Sequence, residues 1–468
     1  MRTTNRDLAI QFDPALIRKL DCSGPRYTSY PTADRFVEAF DAEVYKQCAR
    51  RRSVGALRRP LSLYVHLPFC DTLCYYCACN KIITKDHSRS ARYVEYLKRE
   101  LRFQAQLFDD SPEIHQMHWG GGTPTFLSQA EMRDLMVAIR GHFQLASEAS
   151  GEFSIEIDPR KADTATIEML RELGFNRLSF GVQDFDADVQ RAVNRWQPEA
   201  LTISVIDAAR RANYRSVSVD LIYGLPRQTI ASFSRTLDKI ISLSPDRVAL
   251  YNYAHLPTVF KPQRRIVEAQ LPSPDVKLDI LGLAIEKFTS AGYVYIGMDH
   301  FAKSGDELAV AQRQGRLHRN FQGYSTHAEC DLIALGVSAI GKLPSAYSQN
   351  VRTLNKYYDR LDCGMLPIMR GLELTSDDLL RWTIIQGLMC HFEVEKATVE
   401  SGYLIEFDRY FARELAELEN FASEGLLTLE NDWISITKTG RLFVRNICMV
   451  FDKYLRADRE RARYSKVI

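Results

Sequence analysis

The chain has 468 residues, 46% of them hydrophobic and 26% charged, with a formal net charge of +2. This length suffices for two or three domains, and the near-neutral charge argues against a dedicated nucleic-acid-binding protein, since such domains are strongly basic. No apolar run approaches the roughly 20 residues that span a bilayer, and the N-terminus lacks a signal-peptide pattern. We therefore expect a cytoplasmic protein without a membrane span.

The predicted elements alternate between strand and helix after an irregular start. Residues 1–60 predict an arm without regular structure, because residues 24–32 (GPRYTSYPT) mix glycine, proline and aromatic side chains. Strands rich in Val, Ile, Phe and Tyr are predicted at 61–65, 114–119, 153–157, 177–180, 216–222 and 247–251. Helices are predicted at 92–107 after a Ser90 cap, at 129–143 after a Ser128 and Glu131 capping box, and at 164–173, 198–212 and 230–242.

Six successive βα units predict an α/β fold with a parallel sheet, either open or curled into part of a barrel. A long helix is predicted at 276–291, and helices at 376–389 and 407–422 dominate the chain beyond about residue 367. Residues 419–447 predict a helix, a short hairpin and a second helix, which resembles a winged helix; packing is the favoured role over nucleic-acid binding. We predict three regions: an arm with a basic segment (1–60), an α/β domain (61–365) and a mostly helical domain (366–468).

Four cysteines lie within ten residues, in the run HLPFCDTLCYYCACN: Cys70, Cys74, Cys77 and Cys79. The first three have a C-x3-C-x2-C spacing that resembles the signature of radical S-adenosylmethionine (SAM) enzymes. There, three thiolates hold three irons of a 4Fe–4S cluster and leave the fourth iron free for the cofactor. A structural zinc site normally adds a second Cys/His pair about 12–20 residues away, which is absent here, although Cys79 could supply a fourth ligand.

The run GGGTPT at residues 120–125 directly follows the second predicted strand. Glycines let a backbone approach a ligand closely, although many ordinary turns are also rich in glycine. Its position, one βα unit after the cysteines, resembles the radical SAM element that holds the methionyl amine. Thr123 stands where that superfamily often has glutamate.

Polar residues then recur at successive strand ends: Glu156, Gln183, Arg195 and Asp220. A single acid at such a place is more often a helix cap or an ion-pair partner. Four at neighbouring βα corners are a better candidate for a site, because parallel α/β folds place their chemistry there. Carboxylates could accept from ribose hydroxyls, and Arg195 could neutralise a carboxylate.

Taken together, the motifs resemble the oxygen-independent coproporphyrinogen III oxidase family almost from end to end. They are GPRYTSYPT, YVHLPFCDTLCYYCACNK, HWGGGTPT, FNRLSFGVQDF, DLIYGLPRQT, NYAHLPT, GMDHFA, HRNFQGY and RNICMVFDKYLR. The resemblance implies a partial (β/α)6 radical SAM barrel with an N-terminal arm and a winged-helix-like C-terminal domain. It implies decarboxylation of two propionates of coproporphyrinogen III to vinyls, which gives protoporphyrinogen IX in heme biosynthesis. The family uses a 5′-deoxyadenosyl radical, made by a 4Fe–4S cluster and SAM.

The same resemblance implies roles for individual residues. Cys70, Cys74 and Cys77 would ligate the cluster, whereas Cys79 and Gln322 would be catalytic without binding iron. A first SAM would contact Tyr64, Gly121, Glu156 and Ile340. A second SAM would contact Tyr76, Gly122, Thr123, Gln183, Arg195, Asp220 and Ala254.

The resemblance further implies a monomer, and the sequence names neither the electron donor nor the electron acceptor. Because the substrate carries four carboxylates, Arg26 and Arg319 are candidates for contacts with it. Each of the two has an equally plausible role in a structural ion pair. The basic tail from Arg456 to Lys466 is interpreted as a solvated helix face.

Two alternatives stay open at this point. One is a heme-trafficking relative that binds heme without decarboxylating anything. Such relatives usually have phenylalanine at the position of Cys79 and lack the GPRYTSYPT arm, so both features favour the oxidase. The other is a non-enzymatic metal-binding module, such as a winged-helix regulator, which would hold zinc rather than iron.

Overall fold

A computed structural model describes residues 10–52, 59–108 and 113–457 of the chain. These residues form two compact units. The barrel unit takes its described residues from 36–273 and 329–374, and the arm unit takes them from 10–35, 274–328 and 375–457. The predicted boundaries at residues 60 and 365 stay predictions, and the basic tail from residue 458 onward lies outside the described residues.

The barrel unit is built on one mixed sheet, whose strands are numbered along the whole chain. The strands of this sheet are β1 (Leu61–Leu67), β4 (Ile114–Gly121), β5 (Glu152–Ile157), β6 (Arg177–Gln183), β7 (Ser216–Tyr223), β8 (Arg247–Asn252), β13 (Asp331–Leu335), β14 (Ile340–Leu343), β15 (Ala346–Asn350) and β16 (Ile368–Glu373). Strands β2 (Phe69–Cys70) and β3 (Ile82–Ile83) form a separate pair. Within this unit the sheet order is β16-β15-β14-β13-β1-β4-β5-β6-β7-β8.

All six predicted strands are confirmed, and each pairs in parallel with the next, from β1 and β4 through β8. Strand β13 also pairs in parallel with β1, whereas β14, β15 and β16 continue the sheet in antiparallel fashion. Six of the seven β1 residues are buried, as expected where helices cover a parallel sheet. The predicted α/β fold with a partial (β/α)6 barrel is therefore confirmed.

The helices of the barrel unit are α2 (Ala42–Arg51), α3 (Ser88–Leu107), α4 (Gln129–His142), α5 (Thr164–Glu172), α6 (Ala187–Ala192), α7 (Glu199–Arg211), α8 (Ile230–Leu243) and α11 (Leu354–Asp362). Helices α3 to α8 lie between successive parallel strands of the barrel unit, whereas α2 precedes β1 and α11 lies between β15 and β16. The predicted capping box of α4 is present, with Ser128 and Glu131 bonding each other's backbone amides. The predicted cap of α3 is wrong: Ser90 lies inside the helix, because the Asp86 side chain accepts from the Ser88 amide at 3.0 Å and turns the chain earlier.

The arm unit is mostly helical and carries three small sheet elements. Its helices are α1 (Pro14–Leu20), α9 (Pro274–Ser290), α10 (Glu307–Arg313), α12 (Ser376–His391), α13 (Lys396–Tyr403), α14 (Phe407–Tyr410), α15 (Ala412–Ser423), α16 (Val444–Val450) and α17 (Lys453–Ala457). Its strands are β9 (Tyr293–Gly297), β10 (His300–Lys303), β11 (His318–Asn320), β12 (Gly323–Ser325), β17 (Glu393–Glu395), β18 (Leu427–Leu429) and β19 (Trp433–Ile436). No helix in the described ranges has the length and hydropathy to cross a membrane.

The predicted helix–hairpin–helix pattern near the C-terminus is confirmed by α15, the β18–β19 hairpin and α16. Strand β17, which was not predicted, pairs with β19 as a third strand. The helix predicted at 407–422 is interrupted at Phe411, whose φ of −104° and ψ of 24° leave the helical region. The irregular arm predicted for residues 1–60 is also corrected, because Asp13 and Asp41 cap α1 and α2 with their side chains.

The contribution of the α4 capping box to stability can be tested by substitution. We expect Ser128→Ala to destabilise the protein by about 1 kcal/mol, because the Glu131 amide loses its acceptor. Gly141→Ala in the same helix has open space around its new Cβ, so we expect a stabilisation of about 0.5–1 kcal/mol. Urea unfolding followed by circular dichroism measures both, and equal midpoints for the two variants would contradict the prediction.

Candidate active site

The cysteine-bearing loop starts at the carboxyl end of β1 and closes on itself through the parallel pair β2–β3. The Tyr75 amide anchors it by donating to the Val193 carbonyl at 3.0 Å. All four thiols of the loop are free, and all four line one cleft: Cys70, Cys74, Cys77 and Cys79. The four cysteines that are close together in the sequence therefore also face the same cleft.

The glycine run at 120–125 packs directly against this loop. The Gly122 amide donates to the Leu67 carbonyl at 2.8 Å, and Thr123 Oγ1 donates to Cys70 Sγ at 3.4 Å. A Cβ at position 122 would lie 2.6 Å from the backbone carbon of Pro68. Glycine is therefore required here for the approach of two backbone segments.

Glu156 on β5 is fixed by two neighbours at the same edge of the sheet. The Gly121 amide donates to Glu156 Oε2 at 3.0 Å, and His118 Nε2 lies 3.3 Å from Oε1. Burial alone would raise the pKa of Glu156, but the bond to His118 leads the interactions that lower it below its ordinary value. Tyr64 stacks on His118 with ring centroids 5.9 Å apart, which places it beside this carboxylate.

An ion network of two arginines and one aspartate faces the second cysteine. Arg195 Nη1 and Arg160 Nη2 lie 3.5 Å and 3.8 Å from Cys74 Sγ, and both guanidinium groups bind Asp158, at 3.0 Å and 2.6 Å. Burial would raise the pKa of Asp158, but Arg195 and then Arg160 lower it to about 2. Arg195 Nη2 also donates to the Gly181 carbonyl at 2.6 Å. The network therefore presents positive charge to Cys74 Sγ.

Two further strand-end side chains line the same cleft, which encloses about 170 Å³. Gln183 ends β6 with a φ of +69°, and Asp220 lies in β7. Burial, followed by the charge of Glu156, raises the pKa of Asp220 to about 7. The cleft thus holds one ionised carboxylate in Glu156 and one carboxyl that titrates near neutral pH in Asp220.

Comparison with known proteins assigns this arrangement to a family. The radical SAM superfamily profile matches residues 64–240, and the HemN C-terminal domain profile matches residues 374–443. An oxygen-independent coproporphyrinogen III oxidase from Pseudomonas aeruginosa is 52% identical over 459 residues, which cover 98% of this chain and 99% of the relative. This chain belongs to the oxygen-independent coproporphyrinogen III oxidase family.

One further relative and one solved structure match this chain over nearly its whole length. An Escherichia coli relative of the same name is 47% identical over 98% of this chain and 99% of its own. The solved structure of coproporphyrinogen III oxidase (HemN) from Escherichia coli, described as a radical SAM enzyme, superposes with a TM-score of 0.91. That match has 46% sequence identity and covers 96% of this chain and 100% of the solved one.

The donor set of this oxidase-family chain fits the cofactors that its family implies, a 4Fe–4S cluster and SAM. Cys77 and Cys79 form a hydrogen-bonded pair, and that bond lowers the pKa of Cys77 and raises the pKa of Cys79. Burial raises the pKa of Cys70 as well, so the pKa shifts distinguish Cys77 from Cys79 but not Cys79 from Cys70. Lys81 Nζ adds positive charge by donating to the Cys77 carbonyl at 2.9 Å. Cys77 therefore carries the negative charge of the pair, as a thiolate ligand must.

The structure brings most of the predicted site residues of this oxidase-family chain to one place. Twelve of them line the cleft: Cys70, Cys74, Tyr76, Cys77, Cys79, Gly121, Gly122, Thr123, Glu156, Gln183, Arg195 and Asp220. They come from the ends of five successive strands and the loops that follow. Their individual roles toward the cluster and SAM stay predictions.

The other four predicted residues lie elsewhere. Tyr64 is stacked on His118, as described above. Ala254 is joined to the cysteine loop by Gln263, whose Nε2 donates to the Ala254 and Tyr76 carbonyls, both at 3.2 Å. Ile340 begins β14, pairs with Gln349 in β15, and is not among the lining residues. Gln322 lies in the β11–β12 turn of the arm unit.

Sequence reasoning missed several residues that shape the cleft. Asp158 and Arg160 follow Glu156 in the run SIEIDPR, so the same strand-end signal that marked Glu156 could have found them. His118 stands two residues before the glycine run, so its position near a strand end could have identified it in the same way. Gln263 had none, since it lies 187 residues from the tyrosine whose carbonyl it binds.

The tight contact at Gly122 gives a prediction. We expect Gly122→Ala to destabilise the protein by about 1–3 kcal/mol and to lower the iron bound after anaerobic reconstitution, because the Cβ displaces the backbone that carries Cys70. Gly141→Ala is the matched control and should bind iron as the wild type does. Wild-type iron content and stability in the Gly122 variant would contradict the contact.

Proposed function

We propose that this protein decarboxylates two propionate side chains of coproporphyrinogen III to vinyls without oxygen, giving protoporphyrinogen IX in heme biosynthesis. The observation that carries the proposal is the cleft in which Cys70, Cys74 and Cys77 converge with the strand-end side chains. The names of the full-length relatives supply the substrate. The enzyme class is then a radical SAM oxidoreductase.

Cys70, Cys74 and Cys77 would hold a 4Fe–4S cluster, and SAM would occupy the remainder of the cleft. When bound, these groups supply one electron and a radical strong enough to abstract hydrogen from an unactivated carbon. The chain itself contributes thiolates, charge and shape. Thr123 and Arg195 donate hydrogen bonds to cysteine sulfur, an interaction that tunes the reduction potential of thiolate-bound iron.

The two carboxyl groups have different tasks in this proposal. Glu156 is ionised and fixed, so it would accept from an ammonium or hydroxyl donor of SAM. Burial and the charge of Glu156 raise the pKa of Asp220 to about 7, so its carboxyl would accept from ribose hydroxyls most strongly once it is ionised above that pH. Two SAM molecules, one near Glu156 and one near Asp220 and Arg195, belong to the same proposal.

Other components follow from the family resemblance. An external donor would supply the electron, and an unidentified acceptor would take the electron that each substrate radical loses with CO2. We also propose that the protein acts as a monomer in the cytoplasm. Sedimentation of the reconstituted protein tests the monomer, and cell fractionation tests the compartment.

Anaerobic turnover is the deciding experiment. We expect the reconstituted protein, given coproporphyrinogen III, SAM and a low-potential reductant, to release protoporphyrinogen IX and about two CO2 for each substrate. Product analysis by chromatography after oxidation to the porphyrin measures this. Absence of vinyl product together with tight heme binding would instead favour the heme-trafficking relative, and stoichiometric zinc in a colourless protein would favour the metal-binding module.

The division of the four cysteines is tested by paired substitutions. We expect Cys70→Ser to abolish the bound cluster, because a serine hydroxyl is a poor ligand for iron–sulfur iron. Cys79→Ser should retain the cluster, seen as iron content and visible absorbance, yet lose turnover. Loss of the cluster in the Cys79 variant would refute the division into three ligands and one catalytic thiol.

A further inference from the structure

The arm unit holds a group of buried polar atoms that have no hydrogen-bond partner in the described part of the chain. They lie on the β11–β12 hairpin and the elements around it. Arg319 sits in β11 with only 2% of its surface exposed. Helix α12 clamps its backbone, because the Gln386 amide group accepts from the Arg319 N–H at 2.9 Å and donates to its carbonyl at 2.8 Å. The two hydrogen bonds from Gln386 therefore fix the backbone position of Arg319.

The Arg319 side chain is fixed as well, but its charge is not matched. Its guanidinium carbon lies 4.7 Å from the ring centroid of Tyr324, the residue paired with it across the hairpin. Nε and Nη1 are buried, and no residue in the described ranges accepts a hydrogen bond from either. Burying a guanidinium with unused donors is unfavourable relative to leaving it in water. Such a group is expected where an anion binds.

Gln322, three residues further along the hairpin, shows the same deficiency. Its Nε2 and Oε1 are both buried, and neither has a hydrogen-bond partner within the described part of the chain. Its backbone is ordered, since its amide donates to Asn320 Oδ1 at 2.8 Å. The hairpin therefore carries unused donors at Arg319 and Gln322, which are three residues apart, and one unused acceptor at Gln322.

The charge of Arg319 acts on Arg445, and so does that of Arg26, although Arg26 is paired with Asp299. Arg26 of the N-terminal arm forms an ion pair with Asp299, and Arg445 of α16 is 3% exposed and donates from Nε to the Pro25 carbonyl at 2.9 Å. Burial, followed by the charges of Arg26 and Arg319, lowers the pKa of Arg445 to about 9. Like charges held this close repel one another, and a bound anion would relieve that repulsion.

We infer that Arg319 binds a propionate carboxylate of the tetrapyrrole substrate, with Arg445 adding positive charge beside it. A carboxylate matches the paired donors of a guanidinium and their charge. Gln322 would add a donor to the carboxylate, and its Oε1 could accept from a pyrrole N–H of the same ligand. The inference rests on the proposed function for the identity of the ligand.

Equilibrium binding of coproporphyrin III, the air-stable oxidised form with the same four propionates, tests the inference in the full-length reconstituted protein. We expect Arg319→Met to weaken its binding by about ten- to a hundredfold, as for a lost hydrogen-bonded charge. Binding of the uncharged tetramethyl ester should change little. Arg316→Met is the control, because Arg316 is exposed and lies three residues earlier in the chain.

A thermal melt without ligand separates this role from a structural one. Arg319→Met removes an unsatisfied buried charge and replaces it with an adaptable apolar side chain, so we expect an equal or higher melting temperature. Unchanged affinity for coproporphyrin III in a folded Arg319→Met protein would overturn the inference. So would a lower melting temperature with equal losses of affinity for the acid and its ester.

If Arg319→Met does not fold, Arg319→Lys carries the test, because lysine keeps the charge but lacks the paired donors. We expect it to bind the tetraacid at least about fivefold more weakly, and unchanged affinity would overturn the inference. Failure of the proposed function is recognised separately. In that case the wild-type protein gives no vinyl product from coproporphyrinogen III, whatever the Arg319 variants bind.

Discussion

The structure depends on gathering several negative groups at one end of a parallel sheet and balancing them. Cysteine thiolates and strand-end carboxylates meet there because every parallel strand delivers its carboxyl end to the same edge. Asp158, Arg160 and Arg195 provide the balance, since the two guanidinium groups share one carboxylate and still reach Cys74 Sγ. Without those cations the thiolates would repel one another and the neighbouring acids, and each would favour its protonated form.

That constraint explains why the loop and the glycine run are so closely joined. The cysteine loop has almost no regular structure of its own, so neighbouring backbone must hold it, through the β2–β3 pair and the amides of residues 120–125. Glycine at position 122 allows that contact, and Gly121 directs its amide to Glu156 instead of toward a backbone partner. Ligand spacing, backbone approach and charge are thus features of one assembly.

The arm unit shows the opposite electrostatic situation. At Arg319 it buries a guanidinium whose Nε and Nη1 have no hydrogen-bond partner among the described residues. A porphyrinogen with four carboxylates has the charge that such a surface lacks. The cleft of the barrel unit suits a sulfonium cofactor and thiolate-bound iron, whereas the arginines of the arm unit suit an anionic substrate.

The sequence by itself determined the six parallel strands, the capping box of α4 and most of the residues that line the cleft, whereas the division of the four cysteines into three ligands and one catalytic thiol stays a prediction. Those features depend on local periodicity, on short spacing and on motifs that stay intact in one run. Only the tertiary structure decided that Asp158 links two arginines to Cys74, that Gln263 ties Ala254 to Tyr76, and that Arg319 is buried without acceptors. These facts arise from contacts between residues far apart in the chain, and neither composition nor periodicity encodes which buried charge finds a partner.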